Sequence, residues 1–150
     1  MMPIYHFSFG FIFSFILYLI FPSIGPTGFY LIFLSSVFID IDHYFRYVHK
    51  TGNLNPIYFW YWSVSEHRVE KRVRHIEDYK YPFLAFHGIE FILILAIAAI
   101  FSKLAMSLLI GSAFHLFLDY LDLLPKSKRS LLSKFSQIYV LKRNKYFPHI

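Results

Sequence analysis

Gly28-Phe29-Tyr30-Leu31-Ile32-Phe33-Leu34-Ser35-Ser36-Val37-Phe38-Ile39-Asp40-Ile41-Asp42-His43 is the stretch on which the reading of this chain turns. Up to Ile39 it carries no charge, and it then closes on two carboxylates and an imidazole. An acidic side chain at the centre of a membrane-crossing helix costs about 3 kcal/mol or more. Such a run is therefore expected to end in the interface, with its acids compensated. A bound cation compensates both acids and gives the neighbouring imidazole a role. The stretch thus predicts a membrane crossing that delivers Asp40, Asp42 and His43 to a divalent ion at one face of the bilayer.

The remaining composition agrees with a bilayer as solvent. At 150 residues the chain is a single domain by length, and 57% hydrophobic with 22% aromatic is far above ordinary soluble usage. There is no cysteine, which excludes a disulfide framework and a thiolate zinc site, so any metal must be held by nitrogen and oxygen. The formal charge of +6 comes from basic residues that flank apolar segments. That arrangement suits anionic lipid headgroups as partners and speaks against nucleic acid. The first apolar stretch lacks a basic leader and a small-residue cleavage site, so it reads as a retained helix.

Outward from the opening stretch, length and punctuation predict an all-α, four-transmembrane-helix bundle. Crossings are expected over residues 7–21, 27–43, 82–101 and 104–124. Pro22 and the turn Ser23-Ile24-Gly25-Pro26 separate the first two, and Pro82 suits the first turn of the third. Only Ser102-Lys103 interrupts the run from 82 to 124, which at ~1.5 Å per residue would otherwise be about twice the ~30 Å hydrocarbon core. A helical hairpin is the better reading. Gly52-Asn53-Leu54-Asn55-Pro56 is a turn signal, followed by the aromatic cluster Tyr58-Phe59-Trp60-Tyr61-Trp62. Ser63-Val64-Ser65-Glu66 resembles a capping box opening a charged helix, so residues 56–79 are expected as an interfacial amphipathic segment. Residues 125–150 form a basic tail. Of the 15 Lys and Arg, all but Lys103 fall on the side of the amino terminus, the middle segment and the tail. The positive-inside rule makes that side cytoplasmic, giving a multi-pass protein of the cell membrane with both termini inside.

In that topology the polar residues converge. His6 opens the first crossing, Asp40, Asp42 and His43 close the second, His87 begins the third, and His115 and Asp119 sit late in the fourth. Up-down connectivity brings all of them to the cytoplasmic side. Residues three, four and seven apart share a helix face, so His115, Asp119 and Asp122 form one stripe, preceded by the small residues Ser107 and Gly111. Asp42 lies ~200° around the helix from Asp40 at ~100° per residue. Both reach one site only if the helix end unwinds or two ions are present. Each residue alone is more often structural than a ligand. Together, four His and several Asp at one depth point to a metal, because neutral imidazoles do not balance carboxylates.

At these residues the chain resembles the LexA-regulated family of membrane-bound, metal-dependent hydrolases. That family carries an early His, a Pro-Asp-aliphatic-Asp-His element, a His-Arg-Gly-x-Thr-His-Ser segment and a late His-x-x-x-Asp. His6 matches the first; Asp40-Ile41-Asp42-His43 matches the second with Ile39 in place of Pro; His115-Leu116-Phe117-Leu118-Asp119 matches the last. The third departs: Phe86-His87-Gly88-Ile89-Glu90 supplies one His, and a His-Arg pair occurs only upstream at His67-Arg68. The resemblance implies a hydrolase.

The donor types suit zinc or manganese, as one or two ions. Asp40, His43, His87, His115 and Asp119 are the expected ligands, with His6 and Asp42 as further ligands or as residues supporting them. Asp42 and Glu90 are the expected catalytic carboxylates, Glu90 as general base in helical register with His87. The expected chemistry is attack of metal-activated water on a lipid-linked or headgroup phosphoester, in a site flanked by Arg46, Arg68 and Lys80. Two other readings use the same residues: a proton- or cation-coupled transporter, for which residues 92–105 offer only Ser102 and Lys103 as a polar path outward, and a non-catalytic metal-binding membrane protein.

Overall fold

The computed structural model describes residues 3–73, 82–123 and 135–146. Among them there is no strand: the fold is all-α. In chain order the elements are α1 (Pro3–Ile20), a 3-10 turn (Pro22–Ile24), α2 (Gly25–Phe38), α3 (Ile41–Thr51), α4 (Pro56–Val73), α5 (Ile89–Phe101), α6 (Lys103–Leu123) and α7 (Gln137–Tyr146).

Helices α1, α2, α5 and α6 pack side by side, and the register of α2 on α6 is set by small residues. A Cβ on Gly111 would strike the Ile32 carbonyl oxygen and the Ser35 hydroxyl, so only glycine allows this approach. One turn on in both helices, the His115 ring meets the Ser36 carbonyl. The two helices therefore run in the same direction. Helix α1 runs against both: Phe11 stacks edge-on with Phe33 and Phe29, while His6 reaches Asp119 and Phe13 stacks on Phe114. The break between α5 and α6 is the extended residue Ser102, as the hairpin reading requires.

The distribution of polarity is inverted relative to a water-soluble bundle. Among the described residues at least as many polar as apolar side chains are buried, including His6, Ser14, Ser36, His87, His115 and Asp119. Large apolar groups such as Phe15, Leu19, Leu34, Ile94, Ile97 and Ile100 face outward. Two segments, Pro22–Thr51 and Lys103–Asp122, are long and apolar enough to cross a membrane, while Ile4–Ile20 and Ile89–Phe101 are shorter apolar helices.

Several boundaries differ from expectation. The second helix does not run unbroken through residues 27–43: it turns at Ile39-Asp40 and restarts as α3, with Asp40 as the residue preceding the new helix. The third expected crossing, 82–101, is helical only from Ile89, and Pro82 lies in a non-helical segment instead of a first turn. Ser63 does not open a helix either. The helix begins at Pro56, where the Asn55 side chain caps the Ile57 N–H at 2.9 Å. Helix α4 packs back on α3: Glu66 takes Arg46 at 3.1 Å and Lys50 at 3.3 Å, and Tyr47 is buried against Phe59 and Trp62. The end of the expected 56–79 segment and much of the 125–150 tail lie outside the described residues. Within that tail α7 is a helix that charge alone does not announce.

Candidate metal centre

Four pieces of backbone supply the cluster. His6 comes from the first turns of α1, Asp40 and His43 from the α2–α3 break, His87 from the loop before α5, and His115 and Asp119 from successive turns of α6. Their donor atoms form three overlapping triads, His6–Asp40–His115, Asp40–His43–His87 and His87–His115–Asp119, each with its atoms within 4.8 Å of one another. At the Ile39-Asp40 turn Asp40 and Asp42 stand on either side of one ring, with Asp40 Oδ1 3.3 Å from His87 Nε2 and Asp42 Oδ2 3.3 Å from His87 Nδ1.

Hydrogen bonds fix the ring orientations. His115 donates its Nδ1–H to the Ser36 carbonyl at 2.7 Å, which leaves the lone pair on Nε2. That Nε2 is buried, has no hydrogen-bond partner, and lies 3.6 Å from Asp40 Oδ1. Asp42 accepts the Phe86 N–H at 2.7 Å and faces His87 Nδ1 at 3.3 Å, while the other ring nitrogen, Nε2, faces Asp40 at the same distance. His6 sets Nε2 3.3 Å from Asp119 Oδ1, stacks on His115 at 3.9 Å, and keeps a buried Nδ1 without a partner. His43 Nε2 completes the ring around Asp40 Oδ1 at 3.8 Å.

An imidazole nitrogen facing a carboxylate oxygen needs a proton or a metal cation between them, and the His115 ring has already given its Nδ1–H to Ser36. Donor separations of 3.3–3.8 Å are what that cation would need: two ligands at ~2.1 Å in a tetrahedral site lie ~3.4 Å apart. The buried His and Asp groups can therefore hold a metal ion, and the orphaned Nε2 of His115 fits that role. Access is one-sided. His6, His87 and His115 are at most 1% exposed, whereas the side chains of Asp40 and His43 are 20% and 24% exposed and form the mouth.

Six of the seven expected ligands thus meet, and Asp42, the seventh, lies outside the triads and holds His87 instead. Glu90 goes elsewhere. Its carboxylate accepts the Ser136 hydroxyl at 2.6 Å and the Gln137 and Ile138 N–H groups at 3.1 Å each, at the start of α7. The shared face expected for His87 and Glu90 does not exist, because His87 precedes the helix. Arg46, expected to flank the site, is engaged by Glu66, while the side chains of Arg68 and Lys80 lie outside the described residues. Sequence reasoning missed the Ser36 carbonyl, which as backbone leaves no trace in residue type. It also missed Gln137, whose signal was the cap residue Ser136 at the head of a Gln137/Val140 spacing. No protein-family model matches the chain, nor does any curated protein or solved structure.

Proposed function

We propose that this protein is a multi-pass membrane hydrolase that uses one or two divalent ions, zinc or manganese, to cleave a lipid-linked or headgroup phosphoester at the cytoplasmic face. One observation carries the reading: the Nε2 atoms of His87, His115 and His43 surround a single carboxylate oxygen, Asp40 Oδ1, at 3.3–3.8 Å. Asp40, His43, His87, His115 and Asp119 would hold the ion, with His6 behind them. When bound, the ion lowers the pKa of water toward neutrality and offsets charge on a phosphoryl oxygen.

The chain's own residues do the rest. Ser36 holds His115 in the tautomer that offers Nε2, and Asp42 faces the Nδ1 of His87 and orients that ring. His6, His87 and His115 are closed to water while Asp40 and His43 are not, so a substrate would enter past Asp40 and His43. Glu90 is occupied by α7 and has no part in proton transfer. An open apolar groove of about 260 Å³, lined by Phe38, Ile39, Ile41, Phe86, Leu95 and Leu108 among others, lies beside the cluster. Its walls flank Asp40 and His87 in sequence, which favours a substrate with a hydrocarbon chain.

Metal analysis of the detergent-purified protein, paired with a screen of lipid phosphoesters, tests the proposal. Wild type is expected to carry stoichiometric zinc or manganese, and the double variant His115→Ala/Asp119→Ala none. Phosphoester turnover should stop with a chelator and return with the metal. A metal-free wild type at neutral pH rules the reading out, and metal that supports folding without turnover reduces it to a structural ion.

A further inference from the structure

The loop that carries His87 is not held by the bundle alone. Between Pro82 and Gly88 the backbone is irregular, and such a segment among apolar helices must have its polar groups satisfied by protein. Two of those groups are pinned from opposite sides. Phe86 N–H goes to Asp42 at 2.7 Å, and Leu84 N–H goes to the Gln137 side-chain oxygen at 2.8 Å. Between them the loop closes on itself, His87 N–H donating to the Leu84 carbonyl at 3.1 Å.

Gln137 is 5% exposed and is the first residue of α7. It is seated there by Glu90, which accepts the first two N–H groups of α7, while Ser136 caps the third from Tyr139 at 3.2 Å. A carboxylate at a helix N-terminus is favoured by the helix dipole as well. The contact is close: a Cβ on Gly88 would press on the Gln137 side chain at 2.9 Å and its backbone nitrogen at 3.3 Å. Val140, one turn on, is fully buried.

We infer that α7 is a clamp on the His87 loop, in which Gln137 and Glu90 act as positioning residues for the metal cluster although neither touches it. The inference rests on the metal reading of that cluster. With the Gln137 acceptor removed, the Leu84 N–H loses its partner and the Leu84–His87 turn loses one of the two anchors described above, so His87 is held less firmly in its place beside Asp40. The tail then belongs to the site, and a ligand more than forty residues upstream in the sequence depends on it.

Full-length protein in detergent, titrated with cobalt(II), tests this through affinity and visible spectrum. Gln137→Met keeps the volume and removes the acceptor; Glu90→Gln weakens the seat of α7 by a second route; His87→Ala shows the spectrum without that imidazole. Both clamp variants are expected to bind cobalt roughly 10–100-fold more weakly, the range for residues that orient metal ligands, with spectra displaced toward that of His87→Ala. A folded Gln137→Met or Glu90→Gln protein with wild-type affinity and spectrum shows that α7 merely packs, and overturns the clamp alone. A wild type that takes up no cobalt overturns the metal reading and the clamp with it.

Discussion

Asp42 and Asp40 are two residues apart, yet they do different work on one ring. Asp40 faces Nε2 of His87 as a ligand would, while Asp42 faces Nδ1 and anchors the Phe86 N–H. Asp42→Asn is expected to lower metal affinity by roughly 10–100-fold without abolishing it, because an amide can present an N–H to the ring and favour the wrong tautomer. Competition against a chromophoric chelator measures this. An unchanged affinity means that the tautomer of His87 is set by something other than Asp42. At this scale the sequence was informative where chemistry is tied to residue type: in a cysteine-free chain, imidazoles and carboxylates are the strongest side-chain donors for zinc or manganese. It was silent where function sits in the backbone, as with the Ser36 carbonyl. It misled at Glu90, whose partners at Ser136 to Ile138 lie far along the chain.

Helices place those residues only because they approach closely. Gly111 lies against the Ile32 backbone one turn before His115 meets Ser36, so the glycine sets the distance at which that hydrogen bond forms. Gly111→Val should push α6 from α2 and destabilise the protein by about 1–3 kcal/mol, as overpacking does. Thermal unfolding followed by circular dichroism reads the loss. Metal affinity should fall in parallel, whereas Ala113→Val, at an exposed position of α6, should change neither. A Gly111→Val protein as stable as wild type shows that the α2–α6 contact is not tight. Small residues at four-residue spacing made this contact legible in advance. The break at Ile39-Asp40 was legible only as a condition, that both acids reach one site if the helix unwinds. The non-helical 82–88 segment was not legible, since an apolar run after a proline reads as helix until its neighbours are known.

At the scale of the molecule, the membrane setting proposed above gives the site a depth. Helix α5 has 13 residues, ~20 Å at ~1.5 Å per residue, against a hydrocarbon core of ~30 Å. If its outer end at Ser102 lies at the far interface, the His87 loop falls roughly 10 Å inside the cytoplasmic boundary. There its irregular backbone is tolerable because Asp42, Gln137 and its own carbonyl satisfy it. The cluster would then sit below the headgroups and open toward them through Asp40 and His43. The arrangement requires the turn at Pro22–Ile24 and Lys103 to lie outside, and the α3–α4 connection inside. Because the chain has no cysteine, each introduced thiol is a sole reporter. In intact cells a membrane-impermeant maleimide is expected to label Ser23→Cys and Lys103→Cys, and to label Asn53→Cys only after permeabilisation. Labelling of Asn53→Cys and Ser23→Cys from the same side would mean that α2 and α3 do not cross, and the depth assigned to the cluster would fall with them.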